Sequence, residues 1–145
     1  MKLILIRGLP GSGKTTLAER LMIEEDARHF EADHFMENTG EYEFRPELLE
    51  AAHAWCFGET IYNLKQGTNV IVSNTFTKLW EIERYVTNAD NLGAEIEIIH
   101  VTTQFESVHG VPSDVLKAMK ARFVSNDKLA QHLGTDIRYR LYPDA

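Results

Sequence analysis

Eight consecutive residues, Gly8, Leu9, Pro10, Gly11, Ser12, Gly13, Lys14 and Thr15, place glycines, a lysine and a hydroxyl at the spacing G-x-x-x-x-G-K-T. Small residues let successive backbone N–H groups curl inward around an anion, and a helix N-terminus behind them adds partial positive charge. At this spacing Lys14 reaches the β- and γ-phosphates, and Thr15 offers a hydroxyl to a magnesium ion bridging them. The segment from Gly8 to Thr16 is therefore expected to cradle the polyphosphate of a nucleoside triphosphate, with Mg2+. Its context agrees: the apolar run Leu3-Ile4-Leu5-Ile6 precedes it and a helix-period segment follows.

Three further positions could act on such a phosphate. Asp33, in Glu31-Ala32-Asp33-His34-Phe35, follows a short apolar segment, and an aspartate there suits orienting an acceptor hydroxyl and taking its proton. Asn74, in Ser73-Asn74-Thr75, stands where many such proteins carry a magnesium-holding aspartate; its amide is expected to contact the acceptor or order metal-bound water. The segment Thr102 to Pro112 is placed to close over the phosphates but contains Glu106 and His109 and no arginine or lysine. Arg122, on the following helix, is the best substitute for the charge that phosphoryl transfer demands.

The elements that would position these residues alternate between β-branched apolar runs and helix-period segments, the signature of βαβ units. Strands are expected over Lys2–Arg7, Arg28–Ala32, Asn69–Ser73 and Glu95–Val101, the third central and the last with one partly exposed face. Helices are expected over Lys14–Glu25, from Pro46 to Gly67, over Lys78–Asn91 and from Ser113 or Asp114 to Ser125. Asp33 to Phe44 reads as a loop. Beyond Asn126 the pattern is weak, with a short helix over Lys128–Leu133 and an extended Ile137–Leu141. The fold class is α/β, a three-layer P-loop fold on a mostly parallel sheet, with ligands beyond the carboxyl ends of the strands near Gly8, Asp33, Asn74 and Thr102.

At 145 residues with 43% hydrophobic content the chain is expected to form one domain spanning 1–145. No stretch is apolar for long enough to cross a bilayer, and the lone Cys56 cannot pair internally, so a soluble, cytoplasmic protein is expected. Cys56, Trp55, Trp80 and Tyr85 fall in helical patterns and read as packing residues. The six histidines show no zinc-site spacing. A formal net charge of −7 excludes a protein that coats nucleic acid by bulk attraction.

Together, Arg7 to Thr16, Ala32-Asp33-His34-Phe35, Gly40-Glu41-Tyr42-Glu43-Phe44, Val72-Ser73-Asn74-Thr75 and Val108-His109-Gly110-Val111-Pro112 resemble the P-loop polynucleotide 5′-hydroxyl kinase-like family, which includes small phage and bacterial ATP-binding members. The resemblance implies phosphate and magnesium binding by Lys14 and Thr15, engagement of an acceptor 5′-hydroxyl by Asp33, and Asn74 as counterpart of an acidic residue. The family's basic lid residues have no match between Thr102 and Val108. The implied activity is transfer of the γ-phosphate of ATP to a hydroxyl, foremost a nucleic-acid 5′ end. The alternatives are a nucleoside or nucleotide kinase, favoured by the acidic balance, and an ATP-binding protein with little transferase activity.

Overall fold

The computed structural model describes residues 1–37, 46–103, 112–134 and 136–143. Five strands, β1 (Lys2–Arg7), β2 (Ala27–Phe30), β3 (Asn69–Asn74), β4 (Glu95–Val101) and β5 (Ile137–Tyr142), form one sheet in the order β2-β3-β1-β4-β5. Every pairing is parallel. β3 is buried on both faces as the sequence predicts, but the centre belongs to β1, which ladders to β3 on one edge and to β4 on the other.

Side-chain alternation along β1 divides the core in two. Ile4 and Ile6, with Ile71, Ile99 and Val101, face α1 (Lys14–Glu24), which packs Leu17, Ala18 and Leu21 onto them. Leu3 and Leu5, with Val70, Val72, Ile96 and Ile98, face α3 (Leu49–Lys65), α4 (Leu79–Asn91) and α6 (Asn126–Leu133) through Cys56, Leu64, Ile82, Tyr85 and Leu129. Burying each such aliphatic side chain contributes about 1.5–3 kcal/mol. The three layers are thus helix, sheet and helix. None of the described helices is long and apolar enough to cross a membrane.

From β1 the chain crosses by α1 to β2, whereas from β3 it crosses by α4 to β4 on the other side of β1. The helices leaving β1 and β3 lie on opposite faces, so a crevice opens beyond the carboxyl ends of these two strands. Gly8 and Asn74 stand at its two sides.

Several sequence expectations need correction. Asp33 to Phe44 is not loop throughout: Ala32–Glu37 forms the helix α2, and residues 38–45 lie outside those described. The helix forms because Asn74 Oδ1 accepts the N–H of Ala32 at 2.9 Å, and because Ala32 and Phe35 pack against Ala52 and Leu49 of α3. β2 ends at Phe30, which releases Glu31 from the sheet. A 3-10 turn, Pro46–Leu48, precedes α3, and the helix after Pro112, α5 (Ser113–Arg122), stops before Ser125. β4 does not keep a partly exposed face: Glu97 is only 4% exposed, and Arg138 of β5 approaches it at 3.2 Å. Trp80 is 63% exposed rather than packed, while Tyr85 is core and Trp55 packs against it from the margin. The segment expected to close over the phosphates, with Glu106 and His109, falls on 104–111, outside the described residues.

Candidate active site

The turn after β1 has no room for side chains. A Cβ on Gly8 would stand 2.7 Å from Ser12 Oγ and 2.8 Å from the carbonyl oxygen of Val101. Gly13, immediately before α1, has φ of 94°, a conformation that glycine alone adopts without strain. The N–H of Ser12 donates to the carbonyl of Leu9 at 3.1 Å, closing the turn. Inside it the Ser12 hydroxyl is buried with no hydrogen-bond partner among the described residues. Lys14 folds back over the turn and donates to the Leu9 carbonyl at 3.0 Å. Burial pushes its ammonium down to about 8, against the pull of Glu31 and then Asp33. A desolvated cation, an unanswered hydroxyl and the positive end of α1 around one hollow fit a polyphosphate.

A carboxylate that sequence reasoning missed stands beside this hollow. Thr15 Oγ1 donates to Glu31 Oε2 at 3.0 Å, and Ser73 Oγ donates to the same oxygen at 2.8 Å. Ser73 has spent its single proton, so the contact of 2.6 Å with His29 Nε2 requires that nitrogen to donate. Burial, with His34 adding to it, holds the His29 imidazole down at about 4 and therefore neutral near pH 7. The acid expected at the end of β3 is instead delivered from the end of β2. Its signal was present: Glu31 precedes Asp33 by two positions. The hydroxyl of Thr15 backed by the Glu31 carboxylate offers the hard oxygen donors that a magnesium ion takes.

Asp33 lies half-buried in the first turn of α2, close enough to Lys14 to pull on its ammonium. Asn74 is committed on both sides of its amide, accepting from Ala32 and donating to Cys56 Sγ at 3.6 Å. It therefore fixes the start of α2, and with it Asp33. Arg122 is exposed and donates from Nε to Thr77 Oγ1 at 3.2 Å, so Thr77 ties the last turn of α5 to the loop after β3. The structure brings Lys14, Thr15, Glu31 and Asp33 together, whereas the contact that Arg122 makes is with Thr77 in the loop after β3.

Arg7, the last residue of β1, is fully buried yet meets no carboxylate directly among the described residues. It donates to the carbonyls of Phe76 and Val124 and to Asn126 Oδ1, and its guanidinium lies 4.2 Å from the Phe123 ring centroid. Burial lowers it to about 10, so it keeps its charge. Phe76, at a positive φ of 46°, owes that costly backbone to two bonds from Arg7, at 3.2 and 3.0 Å.

Comparison with known proteins agrees with this fold. The model of the AAA domain family matches residues 3–110. The chain is 30% identical over 131 residues to the uncharacterized protein PM0531 of Pasteurella multocida (strain Pm70), covering 81% of this chain and 73% of that one. Among solved structures, a chain of the Pnkp1/Rnl/Hen1 RNA repair complex superposes with a TM-score of 0.57 at 26% identity. That match covers 81% of this chain but only 38% of the other. Kti12 of Chaetomium thermophilum, solved with ADP-AlF3, shares the fold at a TM-score of 0.63 and 12% identity, over 99% of this chain and 90% of that one.

Proposed function

The chain belongs to the AAA domain family, and from that premise we propose that it is an ATP-dependent phosphotransferase whose acceptor is a hydroxyl, foremost a polynucleotide 5′-hydroxyl. The observation that carries the reading is the hollow after β1, where the Lys14 ammonium has a single carbonyl for partner and the Ser12 hydroxyl has none among the described residues. Similarity to the Pnkp1/Rnl/Hen1 complex supports the choice of acceptor.

In this reading the backbone from Gly8 to Thr16 and the Lys14 side chain bind the β- and γ-phosphates. Thr15, with Glu31 behind it, would hold Mg2+, which when bound neutralises charge on those phosphates. Asp33 accepts the proton of the acceptor hydroxyl as its oxygen bonds to the γ-phosphorus and the bond to the β-phosphate oxygen breaks, leaving ADP. Asn74 serves the acceptor by fixing the start of α2. Arg122 supplies positive charge to the γ-phosphoryl group that Thr102 to Val108 lacks.

Incubation with labelled ATP and a panel of 5′-hydroxyl oligonucleotides, nucleosides and nucleotides tests the proposal. Label on oligonucleotide ends is the expected result; label on small molecules alone would move the assignment to the nucleoside or nucleotide kinase that the net charge of −7 favours. Binding of Mg2+-ATP without label on any acceptor would leave a nucleotide-binding protein. Asp33→Asn should bind ATP normally and lose turnover by about 10². Full turnover in that variant would remove Asp33 from the mechanism.

A further inference from the structure

Close to the phosphate hollow, and not used by the proposed chemistry, two imidazoles face the Glu31 carboxylate from either side. His29 Nε2 lies 3.7 Å from Glu31 Oε2, and His34 Nε2 lies 3.5 Å from Glu31 Oε1. One ligand atom from each of the three residues falls within 4.8 Å of the other two. Both imidazole-to-carboxylate separations exceed the length of an N–H···O hydrogen bond, about 2.7–3.2 Å. They run to the two different oxygens of the carboxylate, and each is close to the nitrogen–oxygen edge, roughly 3.4 Å, of a tetrahedral zinc site.

We propose that His29, Glu31 and His34 form a binding site for a divalent transition cation of the Zn2+ type, which shares the Glu31 carboxylate with the proposed magnesium site. Two imidazoles and one carboxylate are a donor set that borderline cations prefer and that magnesium does not. Three protein ligands leave a fourth position for water or a ligand oxygen.

The three residues sit on firm supports. His29 is in β2, His34 in the first turn of α2, and Glu31 on the link whose next N–H is gripped by Asn74. The His29 and His34 rings meet edge to face at 5.0 Å, and Trp55 backs His34 at 6.5 Å, which restrains both imidazoles. The His29 and Glu31 side chains are 5% and 9% exposed, while His34 at 29% gives a path from solvent. Ser73 Oγ now bridges His29 and Glu31, so ligation at His29 Nε2 transfers that nitrogen's proton to Nδ1 and frees the Ser73 contact. Metal is titrated into the site without nucleotide, and ATP enters only the control that separates this site from the phosphate hollow.

The whole chain, stripped of metal, is titrated with Zn2+ against a chromophoric chelator and with Co2+ followed by visible absorption. One Zn2+ per chain and the intense Co2+ bands of a four-coordinate site are expected, with affinity falling about tenfold or more in His34→Ala and His29→Ala. His34→Ala is the safer variant because its ring is partly exposed. His132→Ala, on α6, should bind as the parent does, and Lys14→Met should keep Zn2+ while losing ATP, which separates failure of this site from failure of the phosphate hollow. Absence of Zn2+ binding would reduce the trio to a hydrogen-bonded cluster. Equal affinity in His34→Ala and the parent would place the ion on other histidines, and either result overturns the proposal.

Discussion

Arg7 and Lys14 flank the same glycine turn, and both are desolvated cations, Arg7 fully buried and Lys14 half-buried, yet they are answered in opposite ways. Arg7 is met by two carbonyls, an amide oxygen and an aromatic face. Among the described residues Lys14 donates to one carbonyl, with the carboxylates of Glu31 and Asp33 pulling on its charge. A buried charge tied by four hydrogen bonds is a structural element. A desolvated one with a single neutral acceptor in direct contact is costly to the empty protein, and a bound polyphosphate offsets that cost. The difference separates scaffold from site more clearly than residue type does, since both are basic residues on either side of one turn.

The largest effect expected from breaking this contrast is at Arg7. Arg7→Met keeps the volume but leaves the carbonyls of Phe76 and Val124 without their donor, a loss of about 3 kcal/mol that urea unfolding would read as a lower midpoint. The Phe76 backbone, held at positive φ by the same guanidinium, should relax and carry the exit of β3 with it. An unchanged midpoint would mean that Arg7 is not the tie between β1 and the segment before α6. Next comes Lys14→Met, for which the opposite split is expected. ATP affinity should fall by about 10² or more while the unfolding midpoint holds or rises, because the substitution removes a desolvated ammonium from the empty protein. Calorimetry and thermal unfolding on the same preparation decide it.

A smaller effect sharpens the contrast without mutation. Burial lowers the Lys14 ammonium from 10.5 to about 8 in the empty protein. The unfolded chain therefore holds the proton more tightly, and between about pH 8 and 10.5 Lys14 contributes a stability that rises with pH. Phosphate oxygens favour the charged form, so binding above pH 8 must take up a proton. The binding enthalpy at pH 8.5–9 should then depend on the ionisation enthalpy of the buffer, and ATP affinity should fall as pH rises past 8. Buffer-independent enthalpy at pH 9 would show that Lys14 is charged before the ligand arrives.

How much of this could be read from sequence followed the strength of the local pattern. β1, α1 and β4 were legible because continuous apolar runs or i, i+4 spacing reach the core, and the glycine turn because its constraint is local. α2 was missed because what starts it, the amide of Asn74, comes from a strand distant in sequence. Glu31 was passed over for the same reason: nothing local shows that a residue leaving β2 meets the hydroxyls of Thr15 and Ser73. α6 and β5 were faint because α6 buries Leu129 alone and β5 is an edge strand with no fully buried residue. Nothing local marked Arg7 as a tie between elements, since its partners lie up to 119 positions away.

The weakest expected effect lies on the Arg7 side of the contrast, at His100. Its imidazole stacks on Phe123 with centroids 4.7 Å apart, so Phe123 is shared between this ring and the Arg7 guanidinium. Burial, then the charge of Arg7, lowers His100 to about 4. A histidine with a lowered folded-state value stays neutral in the native protein while the unfolded chain already takes a proton, so stability is lost as pH falls from about 6.5 toward 4. His100→Gln should flatten that part of the stability profile and leave ATP affinity at pH 7 unchanged, because the Arg7 cluster is already satisfied without the phosphate. A loss of affinity in His100→Gln would show that the two cations are coupled through the turn, and Arg7 would then belong to the site as well as to the scaffold.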